Sequence, residues 1–331
     1  MTGQVHGDLA LTVAVEAGLR GIGLAGLPAG VQRLMDAYRS GEVPAAPVLA
    51  SGRDAAAYAA YRMPATVAAT AAAFAQMRRA LPGWLPASAL DFGAGTGGAS
   101  WAVASGASGG GPALTLLEQS AEAIRLGKAI LAASQSPALH AASWRSWRLD
   151  AGPVPDGADL AVAAYVLGEL TEQQQDRLTG LAMRSAPAVL LVEPGTPAGH
   201  RRILAARARL LAAGYEIAAP CPHELDCPLA ASGDWCHFAA RVHRSGLHRR
   251  AKSAELSYED EKFSYVAARR PAAGPADLPG GRVVRRPQQR KNLVLLDLCT
   301  AQGRSVQLAV GKSKGEQYRR ARKTDWGDRW E

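Results

Sequence analysis

Leu90-Asp91-Phe92-Gly93-Ala94-Gly95-Thr96-Gly97 closes a short apolar run, Ser88 to Phe92, and opens an alanine-rich stretch, Gly98 to Ser105. A run that short, cut by alternate glycines and followed by helix-forming residues, reads as strand, tight turn and helix. Glycines accept positive φ and let backbone N–H groups approach a ligand closely. The helix that begins there directs partial positive charge to the same place. Asp91, at the strand end, offers a carboxylate to a cationic group of that ligand. Asp91, Gly93, Gly95 and Gly97 are therefore candidate binding residues. The next apolar run, Ala113 to Leu117, ends in Glu118. That is about 20 residues on, where an acid holds ribose hydroxyls in nucleotide folds.

Strand and helix patterns alternate outward from this unit. Ala121 to Ala133 reads as a helix, Trp144 to Leu149 as a weaker strand and Leu160 to Val166 as a strand. Thr171 to Arg184 is a helix with Thr171 as N-cap, Val189 to Val192 a strand and Pro197 to Ala213 a helix. Such alternation predicts an α/β fold with a parallel sheet and right-handed crossovers. Tyr258 to Ala268 returns a last strand to it. Upstream, residues 1–86 read as a helical region, with Pro64 breaking the pattern over Asp54 to Met77. Residues 87–270 form the main domain, with a Cys-rich insertion at 220–238. Residues 271–331 form a small, basic, β-rich extension. It starts with the linker-like Pro271 to Gly280 and holds a hairpin turning at Thr300 to Gly303. Lys312 to Lys323 is basic and helical in character.

The glycine motif and its acid resemble those of class I S-adenosylmethionine-dependent methyltransferases, a Rossmann-like fold. Gly98 also completes the Gly-x-Gly-x-x-Gly of nicotinamide dinucleotide folds, but the acid before the first glycine favours the methyltransferase. The resemblance implies S-adenosylmethionine as cofactor. It assigns Asp91 and the three glycines to the methionine part, Glu118 to the ribose and Asp150 to the adenine amine. Asp150 also reads as a surface turn residue. Tyr165 to Glu169, after the fourth strand, lacks the Asn-Pro-Pro-Tyr signature of many amino-group methylases. Glu169 is a candidate base and equally a capping acid, so no catalytic residue is assigned.

Charge is unevenly distributed. Residues Arg241 to Glu331 hold 21 Lys and Arg against 10 Asp and Glu, whereas residues 1–240 hold 17 against 19. The whole positive excess lies in the last quarter of the chain, as expected for a polyanionic partner or a solvated basic tail. The sequence shows neither a secretory signal nor an apolar run long enough for a bilayer, so a cytoplasmic protein without membrane contact is expected.

Cys221, Cys227, Cys236 and Cys299 are the only cysteines. In a reducing compartment they are thiols or metal ligands rather than disulfides. Four thiolates suit tetrahedral zinc or an iron–sulfur cluster, and buried cysteines also serve as small apolar groups. The Cys-x3-Cys-x2-Cys of radical S-adenosylmethionine enzymes is absent.

Several segments occur in a telling order: Ala60-Tyr61-Arg62-Met63-Pro64-Ala65-Thr66, the glycine motif, Cys221 to Pro228, Asp234-Trp235-Cys236-His237-Phe238, Arg285-Arg286-Pro287, Leu298-Cys299-Thr300, Lys312-Ser313-Lys314-Gly315 and Trp326-Gly327-Asp328. Together they resemble the methyltransferase-like family associated with the small ribosomal subunit of bacteria and mitochondria. That resemblance implies a 4Fe–4S cluster on Cys221, Cys227, Cys236 and Cys299, with zinc as the alternative. It also implies binding to the small ribosomal subunit or its rRNA during assembly, with no DNA partner. Two functional readings follow: a methyltransferase acting on that subunit, or an inactive iron–sulfur factor that keeps the fold as a scaffold. Arg282, Arg285, Arg286, Arg290, Lys291, Arg319, Arg320, Arg322 and Lys323 are candidate phosphate contacts. Tyr318, Trp326 and Trp330 read either as base-stacking residues or as anchors to the core, and for Trp326 the anchor is preferred.

Overall fold

The computed structural model describes residues 2–22, 27–40, 48–107, 110–246, 258–272 and 274–331. Four helices come first: α1 (Thr2–Gly18), α2 (Leu27–Ser40), α3 (Gly52–Tyr61) and α4 (Met63–Ala80). The helix expected over Asp54 to Met77 is two helices meeting at Arg62. Pro64 sits in the first turn of α4, where its missing N–H is not needed. Ser51 caps α3 by accepting from the Asp54 amide at 3.2 Å.

Five parallel strands follow: β1 (Ser88–Phe92), β2 (Ala113–Glu118), β3 (Ser143–Ser146), β4 (Leu160–Ala164) and β5 (Ala188–Pro194), in the order β3-β2-β1-β4-β5. The crossovers carry α5 (Gly98–Gly106), α6 (Ala121–Ala132), the short α7 (Pro137–His140) and α8 (Glu172–Ser185). Thr171 and Gln174 form a reciprocal capping box at the start of α8. After β5 come α9 (Pro197–Ala212), β6 (Glu216–Ala219), the one-turn α10 (Pro228–Ala231) and β7 (Phe238–His243). β8 (Tyr258–Arg269) then runs antiparallel between β5 and β6, and its first half pairs with β7. The order thus begins as a doubly wound 3-2-1-4-5 sheet and departs from the dinucleotide fold by that inserted strand.

Alternation along the strands builds two cores. Leu160 and Val162 join the core that also holds the N-terminal helices and α5 to α7, while Ala161 and Ala163 join the core with α8 and α9. The expected weak third strand is shorter than Trp144 to Leu149 and lies exposed at the sheet edge, which explains its faint pattern.

The C-terminal region forms a second sheet: β9 (Gly281–Val283), β10 (Gln288–Arg290), β11 (Leu293–Thr300), β12 (Ser305–Gly311) and β13 (Arg329–Trp330), with α11 (Glu316–Ala321) packed on it. β11 and β12 make the expected hairpin, and Gly303 takes φ 69° in its turn. The basic segment Lys312 to Lys323 divides into a 3-10 turn and α11. Trp330 is buried in this sheet's small core. The half-buried Trp326 donates from Nε1 to the Val284 carbonyl at 3.0 Å, so both anchor the terminus. No helix among the described residues is long and apolar enough to cross a membrane. Arg249, Arg250 and Lys252 of the basic excess lie outside the described residues.

Candidate functional site

The turn after β1 is built from within. The Gly93 and Ala94 amides donate to the Leu117 carbonyl at 2.9 and 3.1 Å, tying the turn to β2. Gly97 takes φ 93°, and a Cβ there would stand 2.8 Å from Leu131 Cδ1, so only glycine fits. Asp91 is buried and turned into the start of α5. Its Oδ2 accepts from the Ser100 amide at 3.0 Å and the Ser100 hydroxyl at 2.8 Å, while Oδ1 has no partner. Burial pushes its pKa up to about 7, against the pull of the Ser100 hydrogen bonds.

Above this turn lies a cavity of about 450 Å³, within the range of small-molecule sites. Gly93, Gly95, Glu118 and Asp150 line it; Asp91 and Gly97 do not. Of the six residues singled out in the sequence, four therefore face the cavity and two shape the turn beneath it. Glu118 Oε2 accepts from the Gly95 amide and Oε1 from the Ser120 amide, both at 2.8 Å. Burial nevertheless raises its pKa, because desolvation outweighs those bonds. Asp150 stands at the rim with an exposed side chain, paired with Arg177 at 3.0 Å.

Three lining aromatics were not singled out in the sequence as site residues. Tyr58, from α3, lies over Gly95, and burial pushes its hydroxyl up to about 12. Trp147 packs edge-on against Phe92, and its buried Nε1–H has no acceptor. Tyr165, just past β4, holds φ 62°, a strained conformation for an aromatic residue. Its hydroxyl donates to Glu261 Oε1 at 2.9 Å, and Arg62 grips the same carboxylate at 3.1 Å. Arg62 comes from the α3–α4 junction and Glu261 from β8. The Tyr-Arg-Met-Pro segment thus reaches the cavity only through Arg62, whose ion pair with Glu261 holds the lining Tyr165. Its sequence signal was an order of residues, without a chemistry attached.

The four cysteines converge although they come from separate places. Cys221 follows β6, Cys227 precedes α10, Cys236 precedes β7 and Cys299 lies in β11. All four line a second, smaller cavity of about 30 Å³, walled by Ile203, Phe238 and Val284 and bordered by Arg207 and Arg282. All are free thiols. Among the described residues, no three His, Cys, Asp or Glu side chains are drawn into contact tight enough to grip a metal ion. Burial raises the thiols of Cys221 and Cys236 and pushes Cys299 up to about 12. His223 Nε2 lies 3.3 Å from Cys299 Sγ.

Comparison with known proteins gives the same picture of ancestry. The chain is 29% identical over 288 residues to the human ribosome assembly protein METTL17, mitochondrial, covering 82% of this chain and 61% of that protein. It is 26% identical over 217 residues to Rsm22-cox11 tandem protein 2, mitochondrial, of Schizosaccharomyces pombe, covering 52% of this chain and 29% of that protein. It therefore spans less than two thirds of the length of these relatives. Among solved structures, a putative RNA methyltransferase from Pyrococcus horikoshii matches 60% of this chain and 81% of its own, with 13% identity and a TM-score of 0.39. The glycopeptide N-methyltransferase MtfA matches 62% and 90%, with 14% identity and a TM-score of 0.40. The family model described as mitochondrial small ribosomal subunit Rsm22 matches residues 52–331, and the chain belongs to that family.

Proposed function

We propose that the chain binds S-adenosylmethionine above the β1–α5 turn and acts as a methyltransferase-like factor on the small ribosomal subunit or its rRNA during assembly. The observation that carries this reading is the cavity over Gly93 and Gly95 with Glu118 at its wall, in a member of a small-subunit family. The donor set suits the cofactor. Glu118 retains lone pairs for ribose hydroxyls beyond the two amides it accepts from. Trp147 offers an aromatic wall and an unsatisfied N–H, and Asp150 closes the rim. The bound cofactor would supply an electrophilic methyl group. Asp91 and Gly97 act indirectly, by fixing the shape of the turn.

The same reading assigns Cys221, Cys227, Cys236 and Cys299 to a 4Fe–4S cluster, with zinc as the alternative. Its support is chemical: four thiols from four segments face one cavity. Arg290, Lys291, Lys312, Lys314, Arg319, Arg322 and Lys323 are exposed on the second sheet and its flanking turns, a charge distribution suited to RNA phosphates.

One observation favours the scaffold reading of the methyltransferase fold. Past the end of β4, Tyr165 is committed to Glu261 and Glu261 to Arg62, which leaves Glu169 as the ionisable side chain of that segment in the cavity lining. Equilibrium binding of labelled cofactor to the full chain tests the pocket. Glu118→Gln should weaken binding at least about tenfold, since a ribose-facing acceptor becomes a donor. Absence of saturable binding to the wild type would reject the pocket assignment. Methyl-labelled cofactor incubated with small subunits then separates the readings: label transfer identifies an enzyme, and binding without transfer identifies a scaffold.

A further inference from the structure

The cysteine cavity carries a charge imbalance. Two arginines border it, Arg207 from α9 and Arg282 from β9, with 6% and 2% of their surface exposed. Arg207 Nη2 donates to the carbonyls of His223 and Leu225 at 2.9 and 3.0 Å, and its buried Nε–H has no acceptor. Arg282 donates to the Pro220 carbonyl at 2.9 Å, Gln76 Oε1 at 2.7 Å and the Gly327 carbonyl at 3.0 Å. Every one of these partners is neutral. No carboxylate among the described residues lies within ion-pair distance of either guanidinium. Less buried arginines of the same chain do have one: Arg202 pairs with Glu193, Arg62 with Glu261 and Arg244 with Glu259.

A guanidinium does not give up its proton, and a buried charge without a counter-charge is costly. The balancing charge must therefore come from the cavity. Arg282 and Cys299 are cross-strand partners in the β9–β11 register, so their side chains leave the same face of the sheet. Neutral thiols balance nothing, and four bare thiolates would set four negative charges against two positive ones. Four thiolates around a doubly positive core leave two negative charges, which match the two arginines.

We propose that Arg207 and Arg282 are the counter-cations of a dianionic tetrathiolate centre, so the site accepts a core of net charge two plus and holds it in that state. This rests on the metal reading given above and deepens it. A zinc ion and an oxidised four-iron, four-sulfide core both meet the requirement. One-electron reduction of the latter would leave a third negative charge without a partner. Loading expels the four thiol protons to solvent.

The test uses the full chain as wild type, Arg207→Gln, Arg282→Gln and Arg207→Lys. Each is loaded anaerobically with iron and sulfide or, separately, with zinc. The readouts are metal per chain, retention against a chelator and the thermal midpoint of the metal-free protein. Each Gln variant should lose on the order of 10- to 100-fold in metal retention, and Arg207→Lys should lose less. The metal-free midpoint should stay level or rise in the Gln variants, because an unbalanced buried charge has gone. Variants that fall equally with and without metal would show the arginines to be hydrogen-bonding struts only. Gln variants that retain metal as wild type does would also overturn the proposal. A wild type that takes up neither metal would instead remove the metal reading on which it stands.

Discussion

Asp91→Asn tests the geometry of the turn without any ligand. The Asp91 carboxyl is held at a pKa of about 7 by burial, against 3.8 in its ordinary state. That is about 3 pH units, and at 1.36 kcal/mol per unit it corresponds to about 4 kcal/mol. Above pH 4 the unfolded chain releases this proton while the folded chain keeps it. Wild-type stability from this group is therefore present below about pH 4, lost as pH rises to about 7, and level beyond. Asparagine has no such proton. The assay is urea unfolding of both proteins at intervals between about pH 4 and about pH 8. The stability of Asp91→Asn relative to wild type should climb by about 4 kcal/mol across that range. A difference that stays constant with pH would show that Asp91 is already ionised in the fold. The inward-turned, half-satisfied carboxylate described above would then be wrong.

Gly97→Ala should cost about 2–5 kcal/mol in unfolding free energy, combining the positive φ with the crowding of Leu131. A denaturation midpoint measures it, and a neutral result would show that the turn relaxes. Arg62→Gln removes the charged partner of Glu261 and leaves it the Tyr165 hydroxyl, and both side chains of the pair are only about 15% exposed. The expected loss is about 1–3 kcal/mol, partly restored by adding Glu261→Gln, and a double-mutant cycle reads the coupling. Affinity for small-subunit rRNA should fall steeply with salt, and neutralising Arg290 and Lys291 should flatten the slope of log affinity against log salt. A slope indifferent to those two residues would place the contact elsewhere.

The parts of this fold legible in the sequence were those with a local cause. The β1–α5 turn is written in alternating glycines, the cap of α8 in Thr171 and Gln174, and the β11–β12 hairpin in its turn residues. Strands without local punctuation stayed hidden. β6 is four residues long, β7 is a stretch of alternating burial just past the Cys-rich segment, and β13 is two residues paired with β9. The inserted position of β8 is a matter of topology, which a linear pattern does not encode. At the site, residue type marked Glu118 as an acid at a strand end, and it does face the cavity. It marked Asp91 in the same way, although the Ser100 hydroxyl and amide draw that carboxylate inward. Tyr165 was unreadable as a strained residue, because its φ of 62° occurs in a tertiary setting, with its amide on the Val192 carbonyl and its hydroxyl on Glu261, that no local pattern encodes.

The two cavities share one structural member. α9 presents His200, Ile203 and Arg207 to the cysteine cavity. From the same helix, Arg202 reaches Glu193 at 2.7 Å, and Glu193 Oε1 accepts from the Leu167 amide at 3.0 Å. Leu167 opens the 3-10 turn Leu167–Glu169, and Val166, Glu169 and Leu170 line the larger cavity. Glu193 is fully buried, so this linkage cannot slip without leaving its carboxylate unpaired. Gly199, in the first turn of α9, locks the helix further: a Cβ there would stand 2.0 Å from the Pro194 carbonyl oxygen. α9 therefore carries both Arg207, at the border of the cysteine cavity, and Arg202, whose partner Glu193 holds the Leu167 amide beside the larger cavity.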